Sequence, residues 1–389
     1  MGRIGILYVI DSLDSPDARR VAVLTRALDR SVFEPRVICL ARDESPPPDV
    51  ECLGLRRAYG PTAMLAVRRL ARRVRDSRFR IVHAISFGGS VFGAALARFS
   101  GAKLVVTKSA AGLENAAVKK IASRFPAHFA EIICTDSRAI AGYLETVQKI
   151  PTEKITVIHD GIAIYKDQDV QGADMDVLTN IPNYSPYRKT VGTASPLTPV
   201  KNHSILLHAA RMVLRRYPTA QFLLVGEGPE RARLERLAAR LGIGGRVVFC
   251  GAAVDAGELM KRMDIFVLPS LFEGLPGTVL DAMAAGLPVI ATECGGCCEA
   301  VSHGETGFLF DPESAVQLAD YVVDLLKNNQ LAHAMGQAGR ERALAEFPAR
   351  KMVRAHERMY IEMLAAAQVE RKSEAESETR FREKVALGL

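Results

Sequence analysis

Short apolar runs alternate with longer, helically periodic segments along almost the whole chain. In the first half the strand-like runs are 3–10 (RIGILYVI), 34–40, 80–85, 103–107, 131–135 and 155–158. The second half repeats the style at 189–194 (KTVGTA), 220–226, 246–251, 264–270 (DIFVLPS), 288–292 and 307–310. These runs are rich in Val, Ile, Leu and Phe, and they show no in/out alternation. That is the signature of strands covered on both faces. Helical segments between consecutive strands imply βαβ units, hence parallel sheets with helices on both sides. No fixed repeat links the halves; they share only an architecture.

A segment with a different texture divides them. Residues 166–188 have no sustained periodicity and collect Asp, Asn, Gly and Pro, as a linker does. The chain therefore reads as a domain over 1–165, a linker over 166–188 and a second domain over 189–348. A further helix over 349–365 carries an apolar stripe of Met352, Val353, Met359, Tyr360, Met363 and Leu364, and a charged tail occupies 366–389. At 389 residues the chain has room for two cores of ordinary size. Two doubly wound domains facing each other would present the carboxyl ends of both sheets to one cleft, so the loops after strands are where ligand groups are expected.

Three such loops in the second half carry candidate chemistry. After KTVGTA, Lys201 stands just ahead of a helix, where its charge would add to unpaired backbone N–H groups and suit a phosphate. After AQFLLVG, Gly226, Gly228 and Pro229 make a tight strand-to-helix turn that reads equally well as structure. After DIFVLPS comes LFEGLPGTVLDAMAAG, a loop and a short helix stopped by Gly286. Glu273 lies in that loop and Asp281 inside the helix. Carboxylates accept paired hydrogen bonds from vicinal hydroxyls, whereas the amides between the two acids suit an anion. Two polyol ends with a phosphate between them describe a nucleotide sugar.

Residues 264–310 resemble the donor-binding core of the family 4, retaining glycosyltransferases of GT-B fold. The resemblance is carried by an E-x7-E element (Glu273 and Asp281), the following AMAAGLPVIAT, a GG-x-x-E element (Gly295, Gly296, Glu299) and G-x-TGFL. Fainter similarity extends over roughly 1–365. The resemblance implies two Rossmann-like domains and transfer of a hexosyl group from a nucleotide-diphosphate sugar to a saccharide or lipid-linked acceptor. Cell-surface polysaccharide or glycoconjugate synthesis is the implied setting. It gives Lys201 and Glu273 the catalytic roles, on the donor diphosphate and the transferred sugar. Gly192, Thr193, Gly274, Leu275, Gly277 and Thr278 would line the donor, and Asp281 would hold the ribose. Neither a metal nor any other cofactor is implied, the nucleotide sugar being a co-substrate.

Several positions depart from the family pattern. The second acid is Asp281, one methylene shorter than Glu; Thr193 follows Gly192 where an Arg is usual; 11–20 (DSLDSPDARR) lacks a Gly-Gly pair, though Arg19 or Arg20 offers charge nearby; and Lys108 and Ser109 end a strand where a His often stands. His83 reads as a packed strand residue in preference to a catalytic one. These departures keep a second reading open, a GT-B protein that binds a nucleotide sugar or a partner transferase without turnover.

Charge adds one partner. The formal net charge is +7, and residues 68–80 (RRLARRVRDSRFR) hold seven arginines. Met64, Val67, Leu70 and Val74 recur at helical spacing, giving an amphipathic helix whose basic face is either simply solvated or a patch for an anionic membrane surface. Nucleic acid is not expected, because no recognition motif or aromatic platform accompanies the arginines. Asp11 directly follows the apolar 6–10 run and no long apolar stretch occurs, so a cytoplasmic protein is expected, peripheral at the inner membrane face if the basic helix binds lipid. Seven cysteines, an odd number, argue against a disulfide framework. Cys294, Cys297 and Cys298 with His303 lack the paired knuckles of a zinc site and read as thiols. The D-x-D triplets at 167–169 and 174–176 sit in the linker and read as solvated.

Overall fold

The computed structural model describes residues 2–109, 126–162, 183–251 and 256–386, and resolves them into two compact units. The linker triplets lie outside the described residues. The first unit comprises 1–135, 141–158 and 350–389; the second comprises 136–140 and 159–349.

In the first unit β1 (Ile4–Ile10) leads to helix α1 (Pro16–Ala27), then β2 (Phe33–Cys39), β3 (Val50–Cys52), α2 (Pro61–Arg75), β4 (Phe79–Ile85) and α3 (Phe87–Ser100). Next come β5 (Lys103–Lys108), β6 (Ile132–Thr135), α4 (Arg138–Thr146), whose first three residues belong to the second unit, and β7 (Ile155–Val157). The sheet order is β3-β2-β1-β4-β5-β6-β7, with every pairing parallel. Local chemistry sets the ends: Ser15 caps α1 by accepting from the Ala18 N–H, and Pro16 supplies the first-turn φ. Helix α3 lies so close to the sheet that a Cβ on Gly93 would come 2.6 Å from the Ala84 side chain.

Three features of this unit differ from the sequence reading. Strand β3 was not anticipated, because three residues including Glu51 carry no pattern. On α2 the buried face is Ala63, Val67, Leu70, Ala71 and Val74, whereas Met64 is exposed beside Leu65; the two alanines fill the stripe because the helix packs close. Finally, the helix beginning at 349 continues as one element into the charged tail.

In the second unit β8 (Thr190–Ala194), α5 (His203–Arg216), β9 (Gln221–Val225), α6 (Arg231–Arg240), β10 (Val247–Gly251) and α7 (Ala256–Met260) form one half. The other holds β11 (Ile265–Leu268), α8 (Gly277–Ala284), β12 (Val289–Thr292), α9 (Cys297–Ala300), β13 (Gly307–Phe310), α10 (Ala315–Lys327) and α11 (Asn329–Glu346). Its parallel sheet runs β10-β9-β8-β11-β12-β13. Phe222, Phe266 and Phe310 are fully buried in strands, and Leu206, Leu207, Leu318 and Val322 pack from α5 and α10. The last helix, α12 (Ala349–Ala386), gives Met352, Val353, Met359, Tyr360 and Met363 to the first unit's core.

Each sheet is doubly wound, so each has one place where strand order reverses, between β1 and β4 and between β8 and β11. Loops leaving the carboxyl ends of such strands diverge and leave a crevice, the usual ligand position in this topology.

Candidate active site

The reversal between β8 and β11 sets two distant sequence segments side by side. On leaving β8 the chain is held by Ser195 N–H donating to the Val225 carbonyl (3.0 Å) and Leu197 N–H to the Glu227 carbonyl (2.8 Å). Gly226 makes this possible: at φ +139 a Cβ there would fall 2.1 Å from the Ser195 carbonyl oxygen. A single 3-10 turn, Pro199–Lys201, and Asn202 in the left-handed region (φ +48) aim Lys201 before α5 begins. Leu271 N–H donates to the Val200 carbonyl (2.8 Å), which ties the loop after β11 to the loop after β8.

The outcome is an ion pair. Lys201 Nζ lies 2.5 Å from Glu273 Oε1, with the carboxylate buried and the lysine about one-fifth exposed. These residues are separated by 72 positions in sequence. Each satisfies the other beyond the carboxyl ends of β8 and β11, where a ligand carrying a phosphate and hydroxyls could take over both halves of the contact.

Glu273 is fixed by its backbone. Its carbonyl accepts from the Gly296 N–H (3.2 Å), and a Cβ on Gly295 would sit 2.0 Å from that same oxygen. Gly274 and Leu275 are buried against Asp136; the Leu275 N–H donates to Asp136 Oδ1 at 3.4 Å. Pro276 occupies the N-cap of α8 and offers no side-chain acceptor, so the Gly277 and Thr278 amides are uncapped. Gly277 is exposed, and a Cβ there would meet open space. Asp281 stands half-buried one turn into α8. The anion-accepting end and the hydroxyl-accepting groups are therefore on one continuous loop and helix.

Gly192 and Thr193 are placed differently. Both are buried inside β8 short of its loop; Gly192 is packed against Met263, and Thr193 Oγ1 is buried with no hydrogen-bond partner among the described residues. The loop position next to Lys201 is taken by a pair that the sequence reading did not single out. Ser195 Oγ lies 3.0 Å from His203 Nε2, and burial, with the Lys201 charge adding to it, pushes the imidazole down to about 4. His203 is thus neutral near neutral pH.

Glu299 of the GG-x-x-E element accepts from the Arg138 and Ala139 N–H groups (3.1 Å each) and bonds His159 Nε2 at 2.9 Å. Burial opposes its charge, but these donors outweigh that and hold its carboxyl below the ordinary range. No group of three or more His, Cys, Asp or Glu among the described residues is disposed to hold a metal ion. His303 instead accepts from the Leu309 N–H through Nδ1 (3.0 Å).

Polar groups of the first unit are arranged otherwise. His83 is fully buried between Tyr360 Oη (2.6 Å from Nδ1) and Thr107 Oγ1 (2.7 Å from Nε2), and Tyr8 Oη reaches Tyr360 Oη at 3.1 Å. Arg20 is buried beside Asp17 (3.7 Å) within this unit. Lys108 donates to Gln148 Oε1 (2.7 Å), and burial pushes its ammonium down to about 8.

Residues 181–342 match the glycosyl transferases group 1 family, and residues 18–161 match the glycosyl transferase 4-like domain. The two matches together span most of the chain, which belongs to the group 1 glycosyltransferases of family 4, with the GT-B fold of two parallel-sheet α/β domains. Among curated relatives, N-acetyl-alpha-D-glucosaminyl L-malate synthase of Bacillus anthracis is 37% identical over 145 residues, 37% of this chain and 38% of that protein. A GDP-mannose-dependent alpha-(1-6)-phosphatidylinositol monomannoside mannosyltransferase of Mycobacterium tuberculosis is 38% identical over 170 residues, 41% of this chain and 44% of that protein. The matched stretch thus spans less than half the length of these relatives. The same fold is found in Anabaena HepE solved with UDP and glucose (TM-score 0.77, 20% identity, 92% of this chain and 100% of that one). It also recurs in sucrose-phosphate synthase from Thermosynechococcus elongatus (TM-score 0.78, 20% identity, 94% and 100%).

Proposed function

We propose that this protein is a retaining glycosyltransferase that moves a sugar from a nucleotide-diphosphate sugar to a saccharide or lipid-linked acceptor, in cell-surface polysaccharide or glycoconjugate synthesis. The observation that carries the reading is the Lys201–Glu273 pair at the strand-order reversal, next to the uncapped first turn of α8. Loss of a nucleoside diphosphate leaves negative charge on the β-phosphate and positive character on the sugar ring. Lys201 and the Gly277 and Thr278 amides stabilise the first; Glu273 orients the sugar and offsets the second. Asp281 takes the ribose hydroxyls. Fixed protein charges do the work of a metal, and the departing phosphate accepts the acceptor's proton. Relatives named for GDP-mannose and phosphatidylinositol substrates, and a fold neighbour solved with UDP and glucose, support both the donor class and a lipid-linked acceptor.

The test is a thermal-shift screen with UDP, GDP and ADP sugars, followed by donor turnover. One donor should raise the melting temperature by mass action and be consumed. Binding without transfer or donor hydrolysis would favour the non-catalytic reading, and no binding would overturn both.

An anionic membrane surface is the second proposed partner, with the protein at the inner face of the membrane. Arg68, Arg69 and Arg72 are exposed on α2 and make no ion pair among the described residues, whereas Arg73 is held by Glu51. Leu65 is 71% exposed, three and four residues before Arg68 and Arg69, and Tyr59 is 60% exposed just ahead of the helix. Apolar side chains among arginines suit an interface where acyl chains meet acidic headgroups. Among the described residues no helix is long and apolar enough to cross a membrane. Co-sedimentation with phosphatidylglycerol vesicles, lost on charge reversal of Arg68, Arg69 and Arg72, is the expected result; equal binding to phosphatidylcholine vesicles would count against it.

A further inference from the structure

The GG-x-x-E element that braces Glu273 is itself framed by thiols: Cys294-Gly295-Gly296-Cys297-Cys298-Glu299. Cys294 to Cys297 form one tight turn, closed by the Cys297 N–H donating to the Cys294 carbonyl at 3.0 Å. Such a turn keeps the Cα atoms of its first and last residues within about 7 Å, inside the range a disulfide bridges. Cys297 lies in the second unit's apolar core, and Cys294 packs against that same core. Cys297 is fully buried, whereas Cys294 is half-buried and reachable by a small oxidant.

What the turn touches gives the pair its interest. Cys294 Sγ lies 3.3 Å from the Ser270 carbonyl oxygen and 3.3 Å from Thr292 Oγ1, at the start of the loop that carries Glu273. Gly295 and Gly296 sit on the middle of that loop without slack: Cβ atoms there would fall 2.0 Å from the Glu273 carbonyl oxygen and 2.2 Å from that of Gly274. A rotation that brings the two sulfurs into bonding distance cannot leave this packing untouched.

We propose that Cys294 and Cys297 are an oxidative modification site, at which hydrogen peroxide closes a reversible disulfide that displaces the Glu273 loop and weakens donor binding. The Cys294 thiolate attacks one peroxide oxygen, the O–O bond breaks, and hydroxide leaves to take a proton as water, giving a sulfenic acid. The Cys297 sulfur then attacks the Cys294 sulfur. The S–O bond breaks, the departing hydroxide takes the Cys297 proton, and a second water forms. Overall two thiols lose two hydrogens and one peroxide becomes two waters.

The electrostatics suit this division of labour. The neighbouring Cys297 thiol holds the Cys294 thiol below its ordinary range against the opposing effect of burial, and Thr292 assists. Its proximity to Cys294, with burial, pushes the Cys297 thiol well up, so it stays protonated until the sulfenic acid is made. A second pair, Cys39 and Cys52, consists of register partners on neighbouring strands β2 and β3 in the first unit and serves as an internal comparison.

The weakened donor binding rests on the transferase reading; the disulfide and the loop displacement do not. Reduced full-length protein treated with peroxide, alkylated and digested should yield a 294–297 linkage lighter by two hydrogens, reversed by dithiothreitol. Cys297→Ser should show no linkage and instead a dimedone-trapped sulfenic acid at Cys294. Amide exchange across 271–277 should rise on oxidation in the wild type and in Cys52→Ser, but not in Cys294→Ser. The thermal shift given by UDP or GDP should then correspond to at least tenfold weaker binding in the oxidised protein. Oxidation confined to Cys298 or to Cys39–Cys52, or a 294–297 disulfide that changes neither exchange nor nucleotide affinity, would overturn the proposal. If the reduced protein binds no nucleotide, the donor reading fails and peptide mapping with amide exchange still decides the modification.

Discussion

The two sheets share a winding plan but fill their strand-order reversals with different chemistry. Between β1 and β4, Asp11 Oδ2 accepts the Gly88 N–H at 3.1 Å, so an acid occupies the first turn of α3. Between β8 and β11, Lys201 pairs with Glu273 and the first amides of α8 have no capping side chain. The first arrangement turns away a phosphate, because a carboxylate already sits on the helix start; the second invites one. Beneath the first reversal His83, Tyr8, Tyr360 and Thr107 satisfy one another inside the core, a polar network that fixes a unique packing. The lesson is that burial of titratable groups does not mark a site. A site needs charged groups whose partners a ligand can replace.

That contrast can be broken experimentally, and the largest effect is expected in the first unit. Tyr360→Ala removes a buried ring and strands His83 and Tyr8, and should cost about 3–5 kcal/mol of stability. Chemical denaturation measures this, and donor turnover per folded molecule should stay near wild type if the network is structural. In the second unit the priorities invert. Glu273→Gln should lower turnover by roughly an order of magnitude or more while the protein stays folded, because a neutral amide no longer offsets charge on the sugar. Unchanged steady-state turnover would remove Glu273 from the chemistry. Lys201→Met should weaken nucleoside diphosphate binding by about tenfold, the worth of one charge-assisted contact, read by calorimetry.

A pH series sharpens the comparison further. His83 and His203 are both held neutral in the folded state, by burial first. The unfolded chain therefore binds more protons below about pH 6.5, and stability should fall as pH drops from there toward 4, where the folded His203 itself titrates. Melting temperature against pH measures the slope, and His203→Asn should flatten it only in part, because His83 remains. The smallest effect belongs to Asp11→Asn, which keeps an acceptor for Gly88 and should change stability by less than about 1 kcal/mol without altering nucleotide affinity. A large loss of nucleotide binding in that variant would erase the distinction between the two reversals.

Much of this was legible in the chain because it is local. Strands covered on both faces announce themselves as unbroken apolar runs. Glycines such as Gly226, and the acids around a Gly/Pro loop, mark strand-to-helix turns whatever the rest of the molecule does. Strand β3 carries no readable period in its three residues, and Met64 lies off the buried stripe of α2, where Ala63 and Ala71 pack instead as the helix lies against α3. Gly192 and Thr193 entered as donor-lining positions through the family resemblance; they lie within β8, as the 189–194 strand run implies, whereas the Ser195–His203 pair beside Lys201 carried no sequence signal.

By itself the sequence determined the α/β class with two parallel-sheet domains, and it singled out Lys201, Glu273 and Asp281 as candidates by their side-chain chemistry alone. These follow from periodicity and side-chain chemistry, which are properties of short stretches. Only the tertiary structure decided that Lys201 and Glu273 touch, that Asp136 rests on the Leu275 amide, and that a cysteine turn presses on the carbonyl of Glu273. Such contacts depend on strand order. Strand order is set by how whole helices and sheets bury their apolar faces together, and no local pattern carries that information.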